Sequence, residues 1–208
     1  MKKIFYSFLM MAGVALAQYK MEPIGAAPPE LAPAFASNVQ QTGYKVVAPN
    51  GSTFCEIWFR NTLPGGPKSA EESVAFPTIP QGALLGVIRF PGQGADRRGQ
   101  GIKPGIYTLR YSLYPVNGDH QGVAPQRDFL LLVPAADDKD PAALPNYDTL
   151  VTMSRKAAGT PHPAVLSIET PSGNKFPDFG KEGEKDWVLS VKLGEQAISI
   201  ILVGKSEG

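Results

Sequence analysis

The segment from Trp187 to Leu202 constrains this chain more than any other, because its residues agree on a single strand register. Gly194-Glu195 suits a two-residue type II′ turn, which sets Leu193 opposite Gln196 and Val191 opposite Ile198. Leu189 then meets Ile200 and Trp187 meets Leu202, so large apolar pairs share one face while Ser190 and Lys192 share the other. A two-stranded ribbon of this kind buries nothing by itself. It requires a larger antiparallel sheet with a covered face.

The rest of the chain supplies the strands for one. Tyr44-Lys45-Val46-Val47 and Ser52 to Arg60 flank Asn50-Gly51, a pair suited to a type I′ turn. That turn sets Lys45 opposite Glu56, Val46 opposite Cys55 and Tyr44 opposite Ile57. Gly82 to Phe90 reads as a largely buried strand. In Ile106 to Tyr114, Tyr107, Leu109, Tyr111 and Leu113 share one face, and Thr108, Arg110 and Ser112 the other. Asp128 to Val133 and Ala164 to Thr170 complete the set. One helix is predicted over Thr149 to Ala158, capped by Asp148 and ended by Gly159. The 22 glycines and 20 prolines fall mainly between these runs, and no strand–helix alternation indicates a parallel sheet. The expected fold is mainly β: an antiparallel β-sandwich, jelly-roll-like or immunoglobulin-like, with one short helix, over residues 41–208.

The N-terminal part carries a different message. Lys2 and Lys3 precede an apolar run from Ile4 to Leu16, and Ala15-Leu16-Ala17 has the small-x-small pattern of a signal-peptidase site. Residues 1–17 are read as a signal peptide, and the apolar run is too short for a membrane span. No cysteine follows it, so no lipid anchor is expected, and the product is periplasmic or extracellular. Residues 18–40 are proline-rich and read as an extended leader lying over or beside the domain. Losing Lys2 and Lys3 takes the net charge from +1 to −1, which argues against nucleic acid as a partner. Cys55 is the single cysteine, so the chain forms no internal disulfide, and its strand context marks a buried small side chain. No other apolar stretch is long enough to be a transmembrane segment.

Chemistry-bearing residues are few. His120 lies in Asn117-Gly118-Asp119-His120-Gln121-Gly122 and His162 in Thr160-Pro161-His162-Pro163, the chain's two histidines, both in predicted loops. Asp119, His120, Arg127, Asp128 and His162 form the candidate ligand-binding set. A mixed nitrogen and oxygen donor set of His120, His162 and Asp119 would suit Zn or Cu. Arg127 with Arg97 and Arg98 would suit an anion, although strand direction sets Arg97 and Arg98 away from His120 and gathers His162 with it. The bland alternative makes Asp119 and His120 turn residues and Arg127–Asp128 an ion pair. Asp137-Asp138-Lys139-Asp140 lacks the glycine and distal glutamate of a calcium loop and reads as a solvated turn. Trp58 packs in the core or stacks on a sugar. No Gly-x-Ser-x-Gly or His-Glu-x-x-His motif is present.

Gly105 to Val133, Cys55-Glu56-Ile57-Trp58-Phe59-Arg60 and the run from Ser154 to Pro163 together resemble a family of exported Gram-negative bacterial proteins of unknown function. Lys103 to Leu109 is also similar to a short edge pattern common in carrier-type β-sandwiches. The resemblance implies export and a β fold and carries no activity. The function expected is a non-enzymatic exported protein without a cofactor, binding a small ligand, a glycan or an envelope protein. The alternative is a metal-binding protein or metal-dependent hydrolase centred on His120 and His162.

Overall fold

The computed structural model describes residues 18–116 and 126–205. Its strands are β1 (Lys20–Ile24), β2 (Gly43–Val47), β3 (Thr53–Phe59), β4 (Leu84–Phe90), β5 (Gly94–Ala95), β6 (Gly101–Ile102), β7 (Gly105–Leu113), β8 (Asp128–Pro134), β9 (Val165–Glu169), β10 (Asp178–Glu182), β11 (Asp186–Leu193) and β12 (Gln196–Val203). The helices are α1 (Pro33–Ala36) and α2 (Tyr147–Ala158). Ten strands form one antiparallel sheet in the order β1-β2-β3-β4-β7-β8-β9-β12-β11-β10, and β5 pairs with β6 apart from it. The sheet runs as a meander to β9 and then closes a Greek key, since β12 returns to lie beside β9.

This large sheet curls until it is nearly a barrel. Tyr19, just before edge strand β1, packs against Trp187 of β11 at a ring distance of 5.5 Å, and Trp187 stacks on Phe179 of edge strand β10 at 5.6 Å. The edges thus meet through rings, while the order of paired strands stays open between β1 and β10. The interior is filled by residues from both halves, including Ile57, Ile88, Leu109, Leu130, Leu189 and Ile200. Cys55 is buried among them.

Both hairpins read from the sequence form, each with one adjustment. In the first, Tyr44–Ile57, Lys45–Glu56 and Val46–Cys55 pair as expected. The turn itself is not type I′: Gly51 alone takes a positive φ, +83°, and its N–H donates to the Ala48 carbonyl at 2.8 Å. Pro49 explains this, because its fixed φ suits the second position of a type I turn. The extra residue is absorbed by an irregularity between Val46 and Val47. In the second hairpin, Gly194 has φ +63° and Glu195 does not, the II′ pattern. Leu193–Gln196, Val191–Ile198 and Leu189–Ile200 pair as expected. A bulge between Trp187 and Val188 then sets Trp187 opposite Val203 instead of Leu202 and leaves its ring partly exposed at the seam.

Two further layers cover the outside of the sheet. Residues 18–40 lie over the domain: β1 pairs with β2, and Leu31, Phe35 and Val39 pack on Trp58, Leu84 and Val87. Prolines suit an edge strand, where a missing N–H costs no ladder bond, and Pro33 suits the first turn of α1. Trp58 is therefore core, its Nε1 donating to the Gly25 carbonyl at 2.7 Å. Helix α2 covers the neighbouring patch through Leu150 and Val151 on Phe129, Leu131 and Val165. Asn146, not Asp148, caps it, accepting from Thr149 N–H at 2.9 Å, and Gly159 ends it in a left-handed conformation as expected.

A strap from Pro134 to Asn146 crosses the remaining outer face of β7. Arg110 is 0% exposed beneath it, donating to both Asp138 carboxylate oxygens at 2.7 and 2.8 Å and to the carbonyls of Gly82, Asp140 and Ala143. Thr108 donates its hydroxyl to Asp138 at 2.6 Å. Asp138 is thus a buried ion-pair partner, not part of a solvated turn. The polar face of β7 is solvated by the protein itself.

Candidate functional site

A hollow sits where β7 ends and β8 begins, beneath the proline-rich loop 62–81. It is a cleft of about 620 Å³, and a second hollow of about 550 Å³ adjoins it through Ser69, Glu71, Val116 and Arg127. Both volumes fall in the range typical of small-molecule sites. Its walls come from three separated stretches: the loop with Pro77 and Pro80, the end of β7 with Tyr111 and Tyr114, and the start of α2 with Tyr147 and Asp148.

Asp128 lies behind the lining and holds Tyr111 in it. Its side chain is fully buried, and its carboxylate accepts from Ala75 N–H at 2.9 Å, Phe76 N–H at 3.0 Å and the Tyr111 hydroxyl at 2.6 Å. Three donors on one carboxylate meet its demand without a cation. The bond anchors loop 62–81 and seats Phe76 in the core. Burial, then the contact with Asp128, pushes the Tyr111 hydroxyl above its ordinary range, and burial does the same to Tyr114. Both hydroxyls are neutral, and that of Tyr111 donates to Asp128. Tyr114 stacks on Phe129 at 4.0 Å, fixing the wall beside α2.

Arg127 closes one side. Its Nε and Nη2 donate to the Tyr114 carbonyl at 3.0 and 2.8 Å, and its Nη1 to the Glu72 carbonyl at 2.8 Å and Glu71 Oε2 at 3.1 Å. The expected Arg127–Asp128 ion pair does not form. Successive residues on a strand face opposite ways, so Arg127 reaches the rim while Asp128 turns inward.

Of the predicted set, Arg127 and Asp128 belong to this cleft, one as a wall and one as its foundation. Asp119 and His120 lie outside the described residues. His162 is exposed at the end of the sheet where loop 91–101 enters β7. Its neighbour Pro163 accepts from Arg98 and Gln100 at 2.7 and 2.9 Å. His162 thus gathers with Arg98 instead of standing apart from it. Neither arginine of that loop is available for an anion: Arg98 pairs with Asp96 at 2.7 Å and Arg97 with Asp186 at 2.9 Å. Among the described residues, no three His, Cys, Asp or Glu side chains converge to hold a metal ion. Tyr114, Tyr147 and Glu71 were not signalled by the sequence, since no short motif joins residues 71, 114 and 147. The one hint was the density of prolines from Pro64 to Pro80 next to an aromatic strand. No family model, curated protein or solved structure matches the chain.

Proposed function

We propose that this is an exported, non-enzymatic β protein that holds a small ligand in the cleft between loop 62–81, the end of β7 and α2. The cleft carries the reading: it is a walled hollow of about 620 Å³ on a filled barrel core. The polar groups beneath and beside it, Asp128 and Arg127, are engaged in holding its walls. A site whose buried carboxylate and single arginine are spent on architecture suits recognition better than turnover. Export rests on residues 1–17 and on the resemblance to exported bacterial proteins. Among the described residues no helix is long and apolar enough to cross a membrane. A glycan or an envelope protein is a weaker occupant for a walled hollow than a small molecule. In the same reading the two halves of the sheet, hinged at β9, are the leaves of the expected sandwich, since both contribute to one core.

The test is a thermal-shift and NMR screen of the mature chain against a diverse small-molecule library. Saturable binding that perturbs Tyr114 and Tyr147 resonances supports the reading. Hits that perturb only surfaces far from the cleft, or consistent turnover of a substrate panel, overturn it.

A further inference from the structure

The cleft has a charge as well as a shape. Among the described residues that line it, Arg127 is the one cation, and Glu71 and Asp148 are carboxylates. The arginine is the least available of the three. Its guanidinium nitrogens donate to two backbone carbonyls and to Glu71, and its side chain is mostly covered. Glu71 is 53% exposed, and Arg127 engages its Oε2 alone. Asp148 is exposed in the first turn of α2. The described lining therefore carries one more carboxylate than cation.

The walls reinforce that sign. Tyr111 and Tyr114 are almost fully buried, so half-buried Tyr147 is the tyrosine of the lining that an entering molecule can reach, and its π system favours cations over anions. Prolines and Ile79 supply apolar surface without competing hydrogen-bond donors. Val116, 82% exposed, stands at the lip of both hollows, the more exposed of two exposed large apolar side chains among the described residues. Apolar walls with a carboxylate rim match a molecule with an apolar body and a positively charged head.

Building on the proposed ligand-binding role, we infer that the cleft selects organic cations: an ammonium group on an aromatic or aliphatic body. The body lies against Pro77, Pro80 and Tyr147, and the ammonium faces Glu71 and Asp148. Arg127 is a positioning residue that keeps Glu71 at the rim.

Calorimetry with tryptamine, tryptophol and indoleacetate tests this, because the three share one ring system and differ in the charge of the head. Tryptamine is expected to bind at least about ten-fold more tightly than tryptophol, and indoleacetate most weakly. Glu71→Gln with Asp148→Asn, both at exposed positions, should remove the preference for tryptamine while tryptophol still binds. Equal binding of tryptamine and tryptophol would overturn cation selection and leave the cleft as a binding site. Tightest binding of indoleacetate would overturn it in favour of Arg127 as the reader. No binding of any of the three, in a chain whose screen gave cleft ligands, sinks this inference alone. Failure of the screen as well sinks both.

Discussion

Replacing Asp138 with alanine tests the strap most directly. The substitution leaves the Arg110 guanidinium 0% exposed beneath residues 134–146 without its counter-ion. Two charge-assisted bonds of 2.7 and 2.8 Å disappear, and Thr108 loses the nearer of its two acceptors, keeping the Val133 carbonyl at 3.4 Å. At about 1.5–3 kcal/mol for each bond to a charged group, the loss is roughly 3–6 kcal/mol. Removing one partner of a buried pair costs about 3–5 kcal/mol by a separate route. The Gly82, Asp140 and Ala143 carbonyls still receive the guanidinium, which favours the lower end, about 3–4 kcal/mol. With a urea slope of roughly 2 kcal/mol/M for a domain of this size, the midpoint should fall by about 1.5–2 M. Circular dichroism during urea titration reads it. The double variant Arg110→Met/Asp138→Leu should lose less than Asp138→Ala, because no charge remains buried. A midpoint within about 0.5 M of the parent for Asp138→Ala would refute the reasoning and mean that water reaches Arg110.

Three further outcomes follow from other regions. Burial, then the neighbouring Glu56, pushes the Cys55 thiol well above its ordinary range, so a disulfide reagent at about pH 8 should leave the native protein unlabelled and react fully in guanidinium; native labelling at the unfolded rate contradicts the core placement. Gly82 has φ +83°, and a Cβ there would lie 2.4 Å from the Pro145 carbonyl oxygen, so Gly82→Ala should destabilise by more than about 1 kcal/mol in the same urea assay, and a neutral result would show that the strap yields. Burial, with Glu182 and Asp186 nearby, raises the Glu169 carboxyl above its ordinary value. The folded state then holds that proton more tightly than the unfolded chain, and stability falls as pH rises from the unfolded value through the raised one. Glu169→Gln should therefore raise the melting temperature at neutral pH, with the gain vanishing near pH 4 at about the unfolded glutamate value; a gain independent of pH argues against this origin.

The two hairpins were legible because turn chemistry and register are local: Pro49, Gly51 and Gly194 act within a few residues of the pairs that they align. The same locality explains the errors. A bulge at Trp187 reflects how the sheet curls to meet Tyr19, a residue far away in the sequence. Period-2 patterning places Thr108, Arg110 and Ser112 on one face but cannot say what covers that face, so Asp138 read as solvated. Trp58 was ambiguous for the same reason until residues 24–39 were found over it. The cap of α2 was misassigned by two positions because Asn146 and Asp148 both have cap chemistry. The candidate cleft was the least legible. Arg127 and Asp128 were visible as a polar pair beside a loop, but their opposite roles depend on pleat direction and on contacts some fifty residues away.

The seam between β1 and β10 makes the molecule optically readable. Hydrogen-bonded strands part cooperatively, whereas aromatic rings in contact can separate while the ladders on either side persist. Trp187 lies in that contact with Tyr19 and Phe179, and the second indole, Trp58, is sealed under residues 24–39. Steady-state emission from a Trp58→Phe protein therefore isolates the seam. Acrylamide should quench Trp187 well below the denaturant concentration that collapses the ladder signal, giving a direct measure of how often the barrel gapes.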